Sequence, residues 1–291
     1  MHSLHFTAQS SSNGVVERSF TMDDAPGVLW TPASHVEPAP LVLLGHGGGR
    51  DSGCPAMIGR AHRLVVDGGF SVAAIDAPGH GSRPRTSYDE QEISAMQRAM
   101  AAREPVGPIV VRYNGYLARQ AVPEWRATLD ALQQLPEIDA DRPVGYYGIN
   151  MGTAIGVPLT AVEPRIAAAV FGQFWPESLI ELARQITVPI EFVLQWDDEH
   201  IPRESGLDLF EAFASPQKTL HANVGAHKQV PRFEADSAVR FFARHLHRPA
   251  DLRLNARIGL TGRAAHPGPG VREGAAPGPG RARPSRARLL V

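Results

Sequence analysis

Short apolar runs alternate along the chain with longer stretches whose apolar positions recur every three or four residues. Parallel strands joined by crossover helices produce that alternation, so the pattern predicts an α/β fold with a mostly parallel central sheet and helices on both faces. Leu41 to Leu44, Phe70 to Ile75, Val144 to Tyr147, Ile166 to Phe171, Val188 to Leu194 and Lys218 to His221 read as strands. Thr153 to Thr160 begins a helix, and Pro176 to Gln185 and Ser205 to Phe213 have helical spacing. Trp125 to Leu135 and Ala238 to Leu246 read as surface helices with one apolar face. The early segments Leu4 to Thr7, Val16 to Thr21 and Val28 to Thr31 read as antiparallel edge strands separated by turn residues.

Two segments depart from this rhythm. Residues 82–123 open with Ser82-Arg83-Pro84-Arg85, contain a helical pattern from Asp89 to Arg103, and lie between a core strand and a core helix. An insertion there is expected to form a small cap over the strand ends, where ligands bind in open α/β sheets. From Asp251 the chain is dominated by Arg, Gly, Pro and Ala, with no apolar period, so it is expected to be a disordered tail. All four residues have codons writable in G and C alone, which suggests out-of-frame translation of GC-rich DNA. An arginine-rich arm for nucleic acid is the rival reading, but interleaved aromatics are missing.

With 291 residues, 43% of them hydrophobic, the chain can bury a full core, and a single domain over residues 1–250 is expected. A net charge of -1 argues for neither nucleic acid nor an anionic membrane as partner. The balance is uneven: eight arginines stand against Asp251 and Glu273 after residue 250, so the body before them is acidic. A lone cysteine, Cys54, rules out an internal disulfide. With a polar N-terminus and no apolar run long enough to span a bilayer, a cytoplasmic location is expected.

The strand at Val144 leads into Gly148-Ile149-Asn150-Met151-Gly152, a Gly-x-Ser-x-Gly pattern with asparagine in the serine position. In the ordinary pattern a strand turns sharply into a helix and the serine hydroxyl is exposed at the tip. Asparagine tolerates the positive φ of such a turn but brings no comparable nucleophile. Serine hydrolysis also needs an acid and a histidine, in that chain order on this architecture. Both follow: Val188 to Leu194 runs into Asp197-Asp198-Glu199-His200-Ile201-Pro202, and the last strand runs into Gly225-Ala226-His227.

On these residues the chain resembles the α/β-hydrolase fold, in its dienelactone hydrolase and esterase-like group, over roughly Val28 to His247. The resemblance implies an Asp-x-x-Val-Pro acid, which Asp198 fits better than Asp197, and a histidine at His227. It also implies oxyanion donors at Met151 and at Gly47 or Gly48. Asn150 is then the nucleophile position. His46 either orients the glycine loop or packs against a neighbouring strand, and stands with Trp175 and Trp196 among the candidate substrate-binding residues. Core packing would explain both tryptophans equally well.

Each assignment has a plainer rival: a helix cap for Asp197 or Asp198, a solvated loop histidine for His227, a structural role for His80, and buried filler for Cys54. Gly45 to Gly49 is not a dinucleotide loop, because Arg50 stands where its third glycine belongs. Neither a His-Glu-x-x-His nor a paired-cysteine pattern occurs, so neither cofactor nor metal is expected.

The expected function is carboxylic ester hydrolysis, impaired by Asn150. The alternatives are a ligand-binding pseudoenzyme and deamidation of Asn150 to a nucleophilic aspartate. The expected partner is a small acyl or ester molecule, with no nucleic acid and no membrane, and a homodimer is an admissible assembly.

Overall fold

The computed structural model describes residues 3–34 and 37–247. The segment from Asp251, read above as an out-of-frame tail or a nucleic-acid arm, lies outside them.

The N-terminal strands β1 (Leu4–Ser12), β2 (Val15–Met22) and β3 (Ala25–Pro32) form an antiparallel meander. All three run longer than the apolar pattern suggests. The reason for the first is local: Asn13 and Gly14 both take positive φ, 51° and 78°. Two left-handed residues make the tight hairpin turn whose twist matches that of flanking strands, so pairing continues up to Ser12.

The remaining strands are β4 (Leu41–Gly45), β5 (Ser71–Ile75), β6 (Val144–Gly148), β7 (Ile166–Gly172), β8 (Ile190–Gln195) and β9 (Lys218–Asn223). Among the described residues the nine strands make one sheet in the order β1-β2-β3-β5-β4-β6-β7-β8-β9. From β4 onward neighbouring strands are parallel, while β3 meets β5 antiparallel. The chain leaves β4 toward β5 on one side, then returns to place β6 on the other. That reversal opens a crevice outside the carboxyl ends of β4 and β6, which pair Gly45 with Gly148.

Between the strands run α1 (Pro55–Gly68), α2 (Ser87–Ala102), α3 (Gly107–Leu132), α4 (Met151–Val162), α5 (Ile180–Ala183), α6 (Arg203–Ala212) and α7 (Phe233–Leu246). Side chains alternate across β4: Leu41 and Leu43 join a core with α3 and α4, while Val42 and Leu44 join one with α1 and α7. Burial on both faces is why these strands read as continuous apolar runs. No helix among the described residues is long and apolar enough to cross a membrane.

Three sequence expectations are corrected. Residue 123, the expected end of the insertion, falls inside α3, which carries Pro123 in its interior. Tyr113, Leu117, Ala121, Trp125 and Leu129 recur every four residues along one buried stripe of that helix. Packing of this stripe offsets the lost hydrogen bond at the proline, and Trp125 lies on the buried face of the helix. The helix expected from Pro176 to Gln185 is regular only over Ile180–Ala183. Strand β8 begins at Ile190, not Val188, because Pro189 has no N–H to give the ladder.

Within residues 82–123, the Thr86 side chain accepts from the Asp89 amide while the Asp89 carboxylate accepts from the Thr86 amide, a reciprocal cap that starts α2. Asp89 also accepts from the Tyr113 hydroxyl at 3.0 Å, joining α2 to α3. Arg83 forks onto Glu124 with two bonds of 2.7 Å.

Candidate active site

At the crevice between β4 and β6 the chain makes its sharpest turn. Asn150 sits at φ 59°, ψ -125°, between the end of β6 and the first turn of α4. Its flanking glycines are required by space. A Cβ on Gly148 would lie 2.7 Å from the Gly152 backbone, and one on Gly152 would lie 2.8 Å from the Gly45 carbonyl oxygen. The turn is braced from the sides. The Asn150 amide donates to the Gly172 carbonyl at 3.0 Å, and the Tyr146 hydroxyl donates to the Gly152 carbonyl at 2.7 Å. The buried Thr153 hydroxyl reaches the Gly172 carbonyl at 2.6 Å and accepts from the Gly172 amide at 2.9 Å, tying the first turn of α4 to the end of β7.

Two loops from the same rim converge on Asn150. His227, after β9, places Nε2 2.7 Å from Asn150 Nδ2. Its Nδ1 lies 2.7 Å from Asp198 Oδ2, and Asp198 follows β8. An ionised carboxylate only accepts, so Nδ1 carries the proton and the Nε2 lone pair accepts from the Asn150 amide. The other Asp198 oxygen accepts from the His200 and Ile201 amides at 2.9 and 3.0 Å. Burial opposes the charge on Asp198, but the bonds from His227, His200 and Ile201 outweigh it and hold the carboxyl below the usual aspartate range. Asp197 instead accepts from the Gly225 amide at 3.3 Å, and neither aspartate caps α6, whose cap is Pro202.

Two further groups hold the histidine loop and were not singled out in the sequence. Glu199 accepts from the His227 amide at 2.8 Å, and that bond is the main reason its carboxyl titrates low. Gln173, at φ 54°, donates from Nε2 to the His227 carbonyl at 2.5 Å. A glutamate beside the acid motif was a readable hint; nothing about Gln173 marked it in advance.

His46, read above as orienting the glycine loop or packing against a neighbouring strand and placed among the substrate-binding candidates, is a buried strut of that loop. It is 2% exposed; Nδ1 donates to the Gly47 carbonyl at 3.0 Å and Nε2 accepts from the Ala77 amide at 2.9 Å. Both ring nitrogens are thus spent on backbone, which fixes a neutral tautomer. Burial pushes the imidazole down to about 4. Gly47 and Gly48 differ from the elbow glycines, since a Cβ on either would meet nothing within 4 Å. Met151 is the first residue of α4, where a backbone N–H has no partner within its own helix.

Trp175 is 8% exposed, sits edge-on to Phe174 and faces the backbone of Gly107, so packing accounts for it. Trp196, 40% exposed on the rim before Asp197, has the Arg203 guanidinium 3.8 Å above its ring. His80 bonds the Pro78 carbonyl and lies against His46. Cys54 is buried at the start of α1. Among the described residues, Glu191, His221 and Glu234 form a polar group that shares no residue with the Asn150–His227–Asp198 chain.

No family model matches the chain, and no curated protein matches it. Solved structures do. A cold-adapted esterase from an Arctic intertidal metagenomic library, in complex with PEG, is 32% identical, with a TM-score of 0.65 over 82% of this chain and 97% of that one. Acetyl xylan esterase 1 from a Thermoanaerobacterium species is 16% identical, with a TM-score of 0.63 over 84% and 88% of the two chains. The acetyl xylan esterase of a Paenibacillus species is 15% identical, with a TM-score of 0.59 over 84% and 89%. The last two likenesses are of fold. With the Arctic esterase matched over nearly its whole length at that identity, the chain belongs to the esterases of the α/β-hydrolase fold.

Proposed function

We propose that this chain carries the machinery of a carboxylic ester hydrolase in which Asn150 has taken the place of the nucleophile and suppressed turnover. The observation that carries the reading is the unbroken line of hydrogen bonds from Asn150 through His227 to Asp198, both links 2.7 Å long. In a serine hydrolase the corresponding line takes a proton from the attacking hydroxyl onto Nε2, and the acid holds the imidazole in the tautomer that can receive it. Here an amide N–H occupies that lone pair, and its nitrogen is no nucleophile.

The rest of the machinery supports the same reading. Met151 at the start of α4 offers a backbone N–H, and the open space at Gly47 and Gly48 lets a carbonyl oxygen approach the loop after β4. With serine at position 150, the hydroxyl would attack the ester carbonyl and His227 would accept its proton, later returning it to the leaving alkoxide. The oxyanion would rest on the amides of Met151 and of Gly47 or Gly48 meanwhile.

The test is Asn150→Ser on a short p-nitrophenyl ester. Loss of the serine from such a triad lowers turnover about a millionfold, so the revertant should exceed the present chain by several orders of magnitude. A folded revertant that hydrolyses no faster than the original would overturn the proposal.

A further inference from the structure

Both peptide units that flank His227 are anchored by side chains from other elements. The Ala226 carbonyl accepts from Gln195 Nε2 at 3.2 Å, and the His227 amide of the same peptide donates to Glu199 at 2.8 Å. The next carbonyl, that of His227, accepts from Gln173 Nε2 at 2.5 Å. Peptide units are planar, so anchoring the unit on each side of one Cα sets both of its backbone torsions. The direction of the His227 side chain follows from those torsions. Gln195 ends β8 and Gln173 follows directly on β7, its parallel neighbour, so the two amides reach the histidine loop from adjacent strand ends.

Each glutamine carries a cost that packing does not explain. Gln195 is 1% exposed and falls on the same face of β8 as Val193, which belongs to the core with α1 and α7. Its Oε1 is buried with no hydrogen-bond partner, a penalty that methionine or leucine of similar volume would not carry. One bond of 3.2 Å to the half-buried Ala226 does not offset that penalty as a matter of stability alone. Gln173 is 5% exposed at φ 54°, in the left-handed region that residues other than glycine, asparagine and aspartate rarely adopt. A strained or unsatisfied residue that persists beside a reacting centre points to a role there.

We propose that Gln173 and Gln195 are positioning residues of the hydrolase, fixing the peptides on either side of His227 so that its ring bridges Asp198 and position 150 at 2.7 Å on each side. The assignment rests on the ester-hydrolase reading above. Misplacing a reacting group by about 1 Å can cost about a hundredfold in rate, so the two amides bear on the chemical step and not on substrate affinity. Glu199 completes the clamp from the acid loop, at the opposite end of the Ala226–His227 peptide.

The test replaces each glutamine by methionine, which keeps the length and removes the donor, in the Asn150→Ser background. Each variant should lower kcat on a p-nitrophenyl ester at least about tenfold with KM within about twofold, while Gln195→Met melts no lower than its parent. A second readout needs no turnover. In the unaltered Asn150 chain, the far-downfield proton resonance of the His227 Nδ1–H bonded to Asp198, identified by its loss in His227→Gln, should shift or vanish in both methionine variants. Unchanged kcat in an active revertant, or a resonance that stays in place, would overturn the proposal. If Asn150→Ser itself shows no turnover, the ester reading fails on its own, and the resonance still decides whether the glutamines aim the ring. Should one variant not fold, the other is read by the same two measures; failure of both to fold would assign the glutamines to the core and sink the idea.

Discussion

The Asn150 side-chain nitrogen donates to His227 Nε2 across 2.7 Å, so the imidazole lone pair that would serve as a base faces an amide. Position 150 has the sharp strand-to-helix geometry of a nucleophile elbow, with an amide at its tip. Asparagine fits because its side chain supplies a donor of the right reach and because it tolerates the positive φ that the turn imposes.

If Asp198 fixes the His227 tautomer, its role becomes measurable once a nucleophile is present. In the Asn150→Ser background, Asp198→Asn should lower kcat on a p-nitrophenyl ester about 10⁴-fold, with KM little changed. Equal turnover in the single and double variants would show that the carboxylate only shapes its loop.

His46 makes acid sensitivity a property of the fold. Its imidazole is held neutral down to about 4, whereas in the unfolded chain it protonates near 6.5. As pH falls below that upper value the unfolded state takes up the proton first, so the stabilisation is complete above pH 6.5 and is lost on the way to pH 4. The shift corresponds to a loss on the order of 3 kcal/mol. Urea midpoints measured across this range should fall more steeply for the original chain than for His46→Asn; parallel curves would refute the assignment.

The two kinds of glycine around the site should respond oppositely to a methyl group. Gly152→Ala drives a Cβ against the Gly45 carbonyl and should cost about 1–3 kcal/mol of stability, read as a lowered melting temperature. Gly47→Ala meets nothing and should leave stability within about 0.5 kcal/mol, while slowing the Asn150→Ser revertant if substrate approaches that loop. A stable Gly152→Ala protein would show that the elbow relaxes more readily than its contacts imply.

Asp198 contributes with the sign of a depressed acid. Its stabilisation is present above the ordinary aspartate range and is lost as pH falls through its lowered value. Acid unfolding of Asp198→Asn should therefore be shallower than that of the original chain. Coincident acid limbs would leave the His227 contact without energetic weight.

Much of the sheet was legible in advance because strands buried on both faces must be apolar throughout, and β4, β5, β6, β7 and β9 lie close to their expected ranges. The misreadings have physical causes. Pro123 looked like the end of a segment, yet the buried stripe from Tyr113 to Leu129 carries α3 through it. Pro189 delays β8 by withholding a donor. The Asn13-Gly14 turn lengthens β1 beyond its apolar residues.

What the linear chain determined by itself was the parallel sheet, the glycine-flanked turn at Asn150, and the order in which Asp198 and His227 follow it, since periodicity and turn chemistry act between near neighbours. What only the tertiary structure decided was proximity across long separations. His46 proved to be a strut because Ala77, 31 residues away, claims its second nitrogen. Gln173 came to the histidine loop from 54 residues away. Glu191, His221 and Glu234 meet because β8 and β9 lie side by side beneath α7, a convergence that no local spacing records.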